Sequence, residues 1–569
     1  MTMSPAAPQA KELRAPRARA ATARTWLLPL LVGGVLFWLI AWPLLLVAME
    51  SVRGSAGLTL EFFERLFREP REWQALWASL WTSLASVVLA ALLGVPLAFL
   101  FERTEFPGRR LIGALVALPA VLPPLVGVIA FLFLYGETGF VARLVQAVLG
   151  LENPPWRLEG AYAILLVHAY SMYVYFYLFT RAGLASLDYA AIEAAQSLGA
   201  GRWRTLTRVT LPLLAPSLRG AALLTFMTAL ASFSAPYLFG GGFRVMTTQI
   251  VFTRLNGDYG LAMAQTVMLS LLALAGLALA REGARLVVRA GGKGIAPAPR
   301  LIASPGWRLA ATIGGWALGL LLLLPHLTLL VLSFVPVGTW TVETFPPAYT
   351  WRNYLTLVAE PERLRPLVNS LWMATLATAA AVVLSLLAGQ LVVRRARGAV
   401  LIERLLALPW LVPGTVFAVA LATAFSVQAP WAGRIILVGT LWILPLAYLI
   451  RNLPIASRAI LAGFRGLDPA LAEASAGLGA GRWRTFRRVT LPLLRPALAA
   501  GATLAFVTAL GDFVTSVILY TYDTRPLSLE ILSSLRQGDI GVAAAYGVLL
   551  MLLSALVFAL GSEKKVVTR

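Results

Sequence analysis

Residues 193–218 read EAAQSLGAGRWRTLTRVTLPLLAPSL, and residues 473–498 read EASAGLGAGRWRTFRRVTLPLLRPAL. The offset is 280 throughout, without a gap, and 19 of the 26 positions are identical. The apolar stretches that follow, 221–238 and 501–518, agree at only 7 of 18 positions. A duplicated scaffold held by packing alone would keep its buried helices at least as alike as its loops. Here the polar, arginine-rich segment has stayed alike and the apolar ones have drifted. The plainer reading is that Gly, Pro and Arg preserve one loop shape. The sharper reading is that both copies must fit the same surface, on a partner present in two equivalent copies.

The rest of the chain is a membrane protein by composition. Of its 569 residues 59% are apolar and 13% charged, whereas a soluble domain carries about 25% charged residues. Twelve apolar stretches approach the ~20 residues a bilayer-crossing helix needs. They are Trp26–Met49, Trp77–Phe101, Leu111–Tyr135, Ala161–Thr180, Ala221–Leu238 and Leu261–Ala280, then Leu309–Phe334, Leu371–Val393, Leu405–Phe425, Ile435–Ile450, Ala499–Tyr520 and Gly541–Gly561. The third holds Pro119, Pro123 and Pro124 and the ninth Pro409 and Pro413, which a membrane helix tolerates when neighbours re-satisfy the freed carbonyls. An echo, ALPAVLP at 117–123 and ALPWLVP at 407–413, extends the duplication. Six spans per half, an even number, make the repeats parallel.

With both termini in the cytoplasm, 34 of the 48 basic residues fall on the inside, as positive-inside topology requires. The net charge of +22 is therefore a topology signal. A nucleic-acid surface would gather it on one compact domain interleaved with stacking aromatics, and no nucleic-acid partner is expected. The chain divides into a cytoplasmic tail (1–25), a first six-helix domain (26–280, loop 181–220), a Gly- and Pro-rich linker (281–308), a second six-helix domain (309–561, loop 451–498) and a short tail (562–569). With no cysteine and only His168 and His326, disulfides, thiolate catalysis and multi-histidine metal centres are excluded. The nearest approach to a phosphate loop, Gly292-Lys293, has Val287 where the first glycine belongs and Gly294 where Ser or Thr belongs. No catalytic residue, metal site or cofactor is expected.

Local chemistry shapes the repeated loop. Asp188 and Asp468 stand where a helix N-cap is needed, with Pro469 following at the first helical position. A short Ala-rich helix carries Glu193 or Glu473 early, where a carboxylate suits the helix dipole. Gly199 and Gly479 then break it, and a basic stretch leads to Leu-Pro and back into the membrane. The product is a short exposed helix tied at both ends to membrane helices, a mechanical lever.

These loops resemble the EAA motif of permease subunits of ABC-type importers: Glu-Ala-Ala, three residues, Gly, nine residues, an aliphatic residue, one residue, Leu-Pro. Glu193, Ala194, Ala195, Gly199, Val209, Leu211 and Pro212 fit it, as do Glu473, Ala474, Gly479, Val489, Leu491 and Pro492, with Ser475 replacing the second alanine. The resemblance spans nearly the whole chain, as two fused permease domains. It implies an all-α polytopic fold of the type I ABC importer permeases, in a bacterial inner or plasma membrane. The loops would be coupling helices docked on two copies of an ATPase subunit, with an extracytoplasmic substrate-binding protein delivering cargo. The chain itself would not hydrolyse ATP.

Residues 231–250 and 511–532 look most like the ferric-iron importer permeases, within a wider group handling thiamine, polyamines, phosphonates, sulfate and molybdate. For the path, Asp512 stands out as the one acid inside an expected span, since an intramembrane carboxylate is costly. Its counterpart at offset 280 is Ser232. Tyr170 and Tyr173 share a helical face with Tyr177, near His168. They could ligate a passing metal, or pack as an aromatic face. A secondary transporter, the alternative of a different class, would need several intramembrane acids and no partner-docking loop.

Overall fold

The computed structural model describes residues 19–120, 123–187, 189–285, 300–301, 304–340, 343–430 and 434–562. The centre of the expected linker (286–299), Asp188, and the ends of both tails lie outside them. The described chain is almost wholly helical. The first half contains α1 (Leu27–Glu50), α2 (Pro70–Arg103), α3 (Arg109–Val116), α4 (Pro124–Tyr135), α5 (Gly160–Ala185), α6 (Tyr189–Ser197), α7 (Arg202–Leu230), α8 (Ser234–Phe239), α9 (Met246–Leu255) and α10 (Tyr259–Arg285). The second half repeats the series as α11 (Pro305–Leu332), α12 (Pro361–Val393), α13 (Ala399–Leu411), α14 (Gly414–Ala424), α15 (Ile443–Arg465), α16 (Pro469–Gly477), α17 (Arg482–Leu510), α18 (Val514–Leu519), α19 (Leu527–Arg536) and α20 (Ile540–Ser562).

Among the described residues, ten helices are long and apolar enough to cross a bilayer, and the bent pair α13–α14 makes an eleventh. The twelfth position belongs to α15, long enough to span but carrying Arg451, Arg458 and Arg465. That helix corrects the expected tenth span. It begins eight residues after Ile435 and runs through two arginines that charge alone had placed in the cytoplasmic loop. The fifth and eleventh spans are corrected the same way, because α7 and α17 begin inside the basic stretches at Arg202 and Arg482 and end at Leu230 and Leu510. The third and ninth are not single helices. A 3-10 turn at Leu118–Ala120 and extended Pro123 separate α3 from α4, and α13 and α14 meet at 110°. Pro123-Pro124 at one break and Pro413 at the other each remove backbone donors and disfavour helix in the residue before them. Finally, α2 begins at Pro70 rather than near Trp77, so Glu72 is a second buried acid, held by the amide groups of Gln249 (2.7 Å) and Gln265.

The halves exchange their first helices. On one side α1 lies against α13 and α14, with Trp38 edge-on to Phe425 at 5.5 Å between ring centres. On the other, α11 lies against α3 and α4, and Tyr170 of α5 donates to the Leu322 carbonyl at 2.7 Å. Arg143 adds a third link, 4.1 Å over the Trp340 ring and 2.8 Å from the Glu343 carbonyl. Lipid is as apolar as a side chain, so close packing of small residues has to supply the helix–helix attraction. Gly319 of α11 shows how tight the seam is: a Cβ there would sit 2.6 Å from Cγ2 of Ile112 on α3. Gly319→Ala is therefore expected to lower stability by about 1–3 kcal/mol through overpacking, although alanine is the better helix former. Thermal unfolding in detergent should show a reduced midpoint, and adding Ile112→Ala should lower it by less than the two single losses combined. An unchanged or raised midpoint for Gly319→Ala contradicts this seam.

Candidate functional site

Two features stand out: the paired loops, and a cavity between the halves. In the second loop the Asp468 carboxylate accepts from the Ala470 N–H at 2.9 Å, and Pro469 opens α16. At the far end of α6 and α16, the Ala200 N–H bonds the Ala195 carbonyl at 3.0 Å and the Ala480 N–H bonds the Ser475 carbonyl at 3.1 Å. These are the six-to-one bonds of a Schellman turn, which needs a left-handed residue between. Gly199 and Gly479 supply it, at φ +78° and +79°. A Cβ at either glycine would meet nothing within 4 Å, so the requirement is the turn and not a close approach. It would cost another residue about 1–2 kcal/mol.

The Leu-Pro pairs lie inside continuous helices that begin at Arg202 and Arg482. A π turn precedes each, and the Leu211 and Leu491 N–H groups reach back to the carbonyls of Leu206 and Phe486. The prolines that follow, Pro212 and Pro492, have no N–H to place, and the wider turn absorbs the break. Each loop is thereby fixed rigidly to a helix that runs into the bundle.

Rigid loops present unusual surfaces. Leu198 and Leu478 are 88% and 90% exposed, and Trp203 and Trp483 are 75% and 71% exposed. Glu193, Ala194, Glu473 and Ala474 face solvent beside them, while Ala195 is half-buried. Exposed tryptophan and leucine at matched positions are side chains of the kind that contact surfaces use. The four apolar residues escaped a reading centred on Glu, Gly and Pro. Their signal was there in the run LGAGRWRT, identical in both copies.

From Leu211 to Leu230, α7 climbs about 28 Å at 1.5 Å per residue and then breaks. The short helices α8, α9, α18 and α19 fold back over this end. Hydroxyls hold the breaks: Thr247 donates to the Ser232 carbonyl and Ser528 to the Asp512 carbonyl, each at 2.7 Å. Phe233 and Phe513 meet across the halves at 5.9 Å, with Tyr237 stacked on Phe233 at 5.1 Å. Arg536 of the second half donates to the Tyr237 hydroxyl of the first.

On the loop side of this aromatic cluster lies a cavity of about 430 Å³. Its wall includes His168, Ser171, Thr228 and Ser232 from the first half and Pro409–Gly414, Arg451, Arg458 and Thr508 from the second. Asp512, Tyr170 and Tyr173 are not among its lining residues. Nor is Asp512 within a helix; it occupies the break between α17 and α18. One of its oxygens accepts from the Thr515 N–H at 2.9 Å and from the Thr515 hydroxyl, and the other lies 3.4 Å from Nε of Arg451. Tyr173 donates to the Val116 carbonyl at 2.7 Å, and Tyr170 also meets Nδ1 of His326 at 3.0 Å. His168 has both ring nitrogens engaged, by Ser86 at 2.8 Å and Ser232 at 2.9 Å. Among the described residues no group of three or more His, Asp or Glu could hold a metal ion.

Two parallel sets of helices, paired loops of one shape and an internal cavity define a membrane transport component. Residues 90–289 and 381–562 each match the family described as binding-protein-dependent transport system inner membrane component, and the chain belongs to that family as a fused, two-domain permease. It is 30% identical over 543 residues to the probable ABC transporter permease protein y4fN of Sinorhizobium fredii, covering 92% of this chain and 94% of that one. It is 29% identical to the ferric transport system permease protein FbpB of Actinobacillus pleuropneumoniae, covering 82% of this chain and 68% of that one. To the thiamine transport system permease protein ThiP of Escherichia coli it is 28% identical, covering 85% and 88%.

The carboxylate of Asp512 thus both caps a helix and faces a guanidinium. Asp512→Ala removes both roles and is expected to lower stability by about 1.5–3 kcal/mol, the worth of hydrogen bonds to a charged group. Asp512→Asn keeps an acceptor for Thr515 and should lose less. Thermal midpoints of the two variants check this, and equal midpoints for both variants and the parent chain would contradict it.

Proposed function

We propose that this chain forms the translocation path of an ATP-driven importer and transmits the work of two ATPase subunits through its paired loops. What carries this reading is the matched exposure of Leu198 with Trp203 and of Leu478 with Trp483 on loops of identical turn geometry. A partner present in two equivalent copies would meet the same surface twice. Glu193, Ala194, Ala195, Gly199, Leu211 and Pro212 shape or present the first docking surface. Glu473, Ala474, Gly479, Leu491 and Pro492 do so for the second. The loops and both termini face the cytoplasm of a bacterium in this reading, where the excess of Lys and Arg belongs. A substrate-binding protein meets the opposite face.

ATP-driven closure of the two subunits would press both loops together. The basic stretch of each loop is the first part of α7 or α17, so the movement arrives at the breaks beyond Leu230 and Leu510. The aromatic cluster of Phe233, Tyr237 and Phe513 sits at those breaks and serves as the gate. Ferric iron is the cargo we favour, supported by the ferric permease relatives and by residues 231–250 and 511–532. Thiamine is the second reading, supported by a relative of similar identity over a similar share of the chain.

The loops are tested directly by pairs of substitutions. Trp203→Ala with Trp483→Ala should abolish co-purification of the ATPase subunits while the chain still inserts and folds, since each buried interface tryptophan is worth about 2 kcal/mol or more. Glu193→Lys with Glu473→Lys should leave a folded protein in which ATP hydrolysis no longer drives uptake. Full ATPase retention by the tryptophan pair, or normal uptake by the glutamate pair, contradicts the assignment.

A further inference from the structure

We propose that the gate opens unequally, and that Arg451 and Asp512 are the positioning residues responsible. They make the break of the second half move as one body with its loop, while the break of the first half swings. This rests on the transport reading above and deepens it. Each loop hangs between two helices, α5 and α7 in the first half and α15 and α17 in the second. Near the loop the two pairs are packed alike. A Cβ on Gly183 of α5 would fall 2.7 Å from Oγ of Ser217 and 2.8 Å from Cδ2 of Leu214 on α7. A Cβ on the equivalent Gly463 of α15 would fall 2.5 Å from Cβ of Ala497 and 3.1 Å from Cδ2 of Leu494 on α17. Helices this close have little room to slide past one another, so each pair takes a push from its loop as a unit.

The pairs differ at their far ends. At offset 280, His168, Ser171, Ser232 and Pro236 stand where the second half has Tyr448, Arg451, Asp512 and Ser516. With these residues α15 reaches its break twice. Nε of Arg451 lies 3.4 Å from one oxygen of Asp512, and the Tyr448 hydroxyl lies 2.7 Å from Oγ of Ser516. The other Asp512 oxygen accepts from the Thr515 N–H at 2.9 Å, so the same side chain also fixes the start of α18. From the equivalent positions α5 reaches its break once, through Nε2 of His168 at 2.9 Å from Oγ of Ser232. Ser171 turns back on its own helix and donates to the Val167 carbonyl at 2.7 Å. Pro236 carries no hydroxyl.

These joints are unequal in strength. Parting two charges in a medium of low dielectric costs far more than parting a hydroxyl from an imidazole. The backbone at the breaks does not offset the difference, since Thr247 and Ser528 hold the Ser232 and Asp512 carbonyls at the same 2.7 Å. Pressure on both loops is therefore relieved at the first half. Tyr237, just beyond that break, is held across the halves by Arg536 through an exposed hydroxyl contact, which water can replace as the leaf swings.

The absence of native cysteine permits a direct measurement. Tyr162→Cys with Gly242→Cys in the first half, and Trp442→Cys with Tyr522→Cys in the second, give matched pairs of exposed sites at offset 280. Each pair spans from the start of α5 or α15 to the turn beyond α8 or α18. Spin labels on these pairs are read by double electron–electron resonance, on the full chain assembled with its ATPase subunits in nanodiscs. Spectra are taken without nucleotide and with the non-hydrolysable analogue AMP-PNP. The first-half distance should change by more than about 2 Å, the upper range of a small helix shift, and the second-half distance by less.

Arg451→Gln with Asp512→Asn leaves no unpaired charge and should let the second-half distance change as much as the first. Arg451→Lys keeps the ion pair and should keep that distance fixed. A merely structural pair would lower the thermal midpoint of the double variant without altering either change, and that result overturns the proposal. So does a parent chain in which both distances change equally, the second changes more, or neither changes. Equal changes leave the transport reading standing, whereas a chain that holds no ATPase subunit overturns both.

Discussion

A peptide group freed from a helix inside a bilayer finds no water, and each must be re-satisfied by protein at a cost of several kcal/mol if it is not. That constraint governs where this chain can be irregular. Its breaks after α7 and α17 occur where α9 and α19 return to supply hydroxyls from Thr247 and Ser528. The returning chains are themselves held, since the Met246 and Leu527 N–H groups donate to Ser79 and Ser370 at 2.7 Å each. The proline breaks between α3 and α4 and between α13 and α14 also face the interior, where the cavity forms. Irregular backbone, aromatic cluster and cavity are together because the bilayer permits them nowhere else.

Within that frame the halves have diverged in polarity while keeping their geometry. His168 and Tyr448 stand at equivalent positions, and each bonds a hydroxyl of its own half: Ser232, in the break, at 2.9 Å in one case, and Ser516, in α18 just beyond the break, at 2.7 Å in the other. Ser232 corresponds to Asp512 and Ser171 to Arg451. One half thus contributes a charged pair where the other contributes two serines. The loops show the opposite pattern, with the same turn, the same exposed residues and nearly the same sequence. The proposed function accounts for this contrast, since surfaces that meet identical partners would be held alike and surfaces that meet a single cargo would be free to differ.

Much of this was legible in the residues. The duplicated loop, its glycine break and its Asp468 cap follow from spacing and turn chemistry, and the six-plus-six helical plan follows from apolar length. The misreadings have physical causes. Arg451 and Arg458 look cytoplasmic by charge, yet one has a carboxylate and the other an aromatic face to rest on, so α15 runs through them. Asp512 looked like a path ligand because sequence cannot show that Thr515 and Arg451 already occupy it. For Tyr170 and Tyr173 the sequence left both ligation and aromatic packing open, and their hydroxyls bond the Leu322 and Val116 carbonyls of neighbouring segments. Glu72 went unnoticed because apolar length placed the start of α2 seven residues too late.

Two equal loops imply two equal partners, and stoichiometry tests this most directly. Native mass spectrometry of the complex purified from membranes would weigh it against the 61.2 kDa of this chain. The account predicts one copy of the chain with two copies of a single ATPase subunit. One ATPase subunit per chain at saturation, or two copies of the chain in the smallest assembly that binds ATPase, would contradict it.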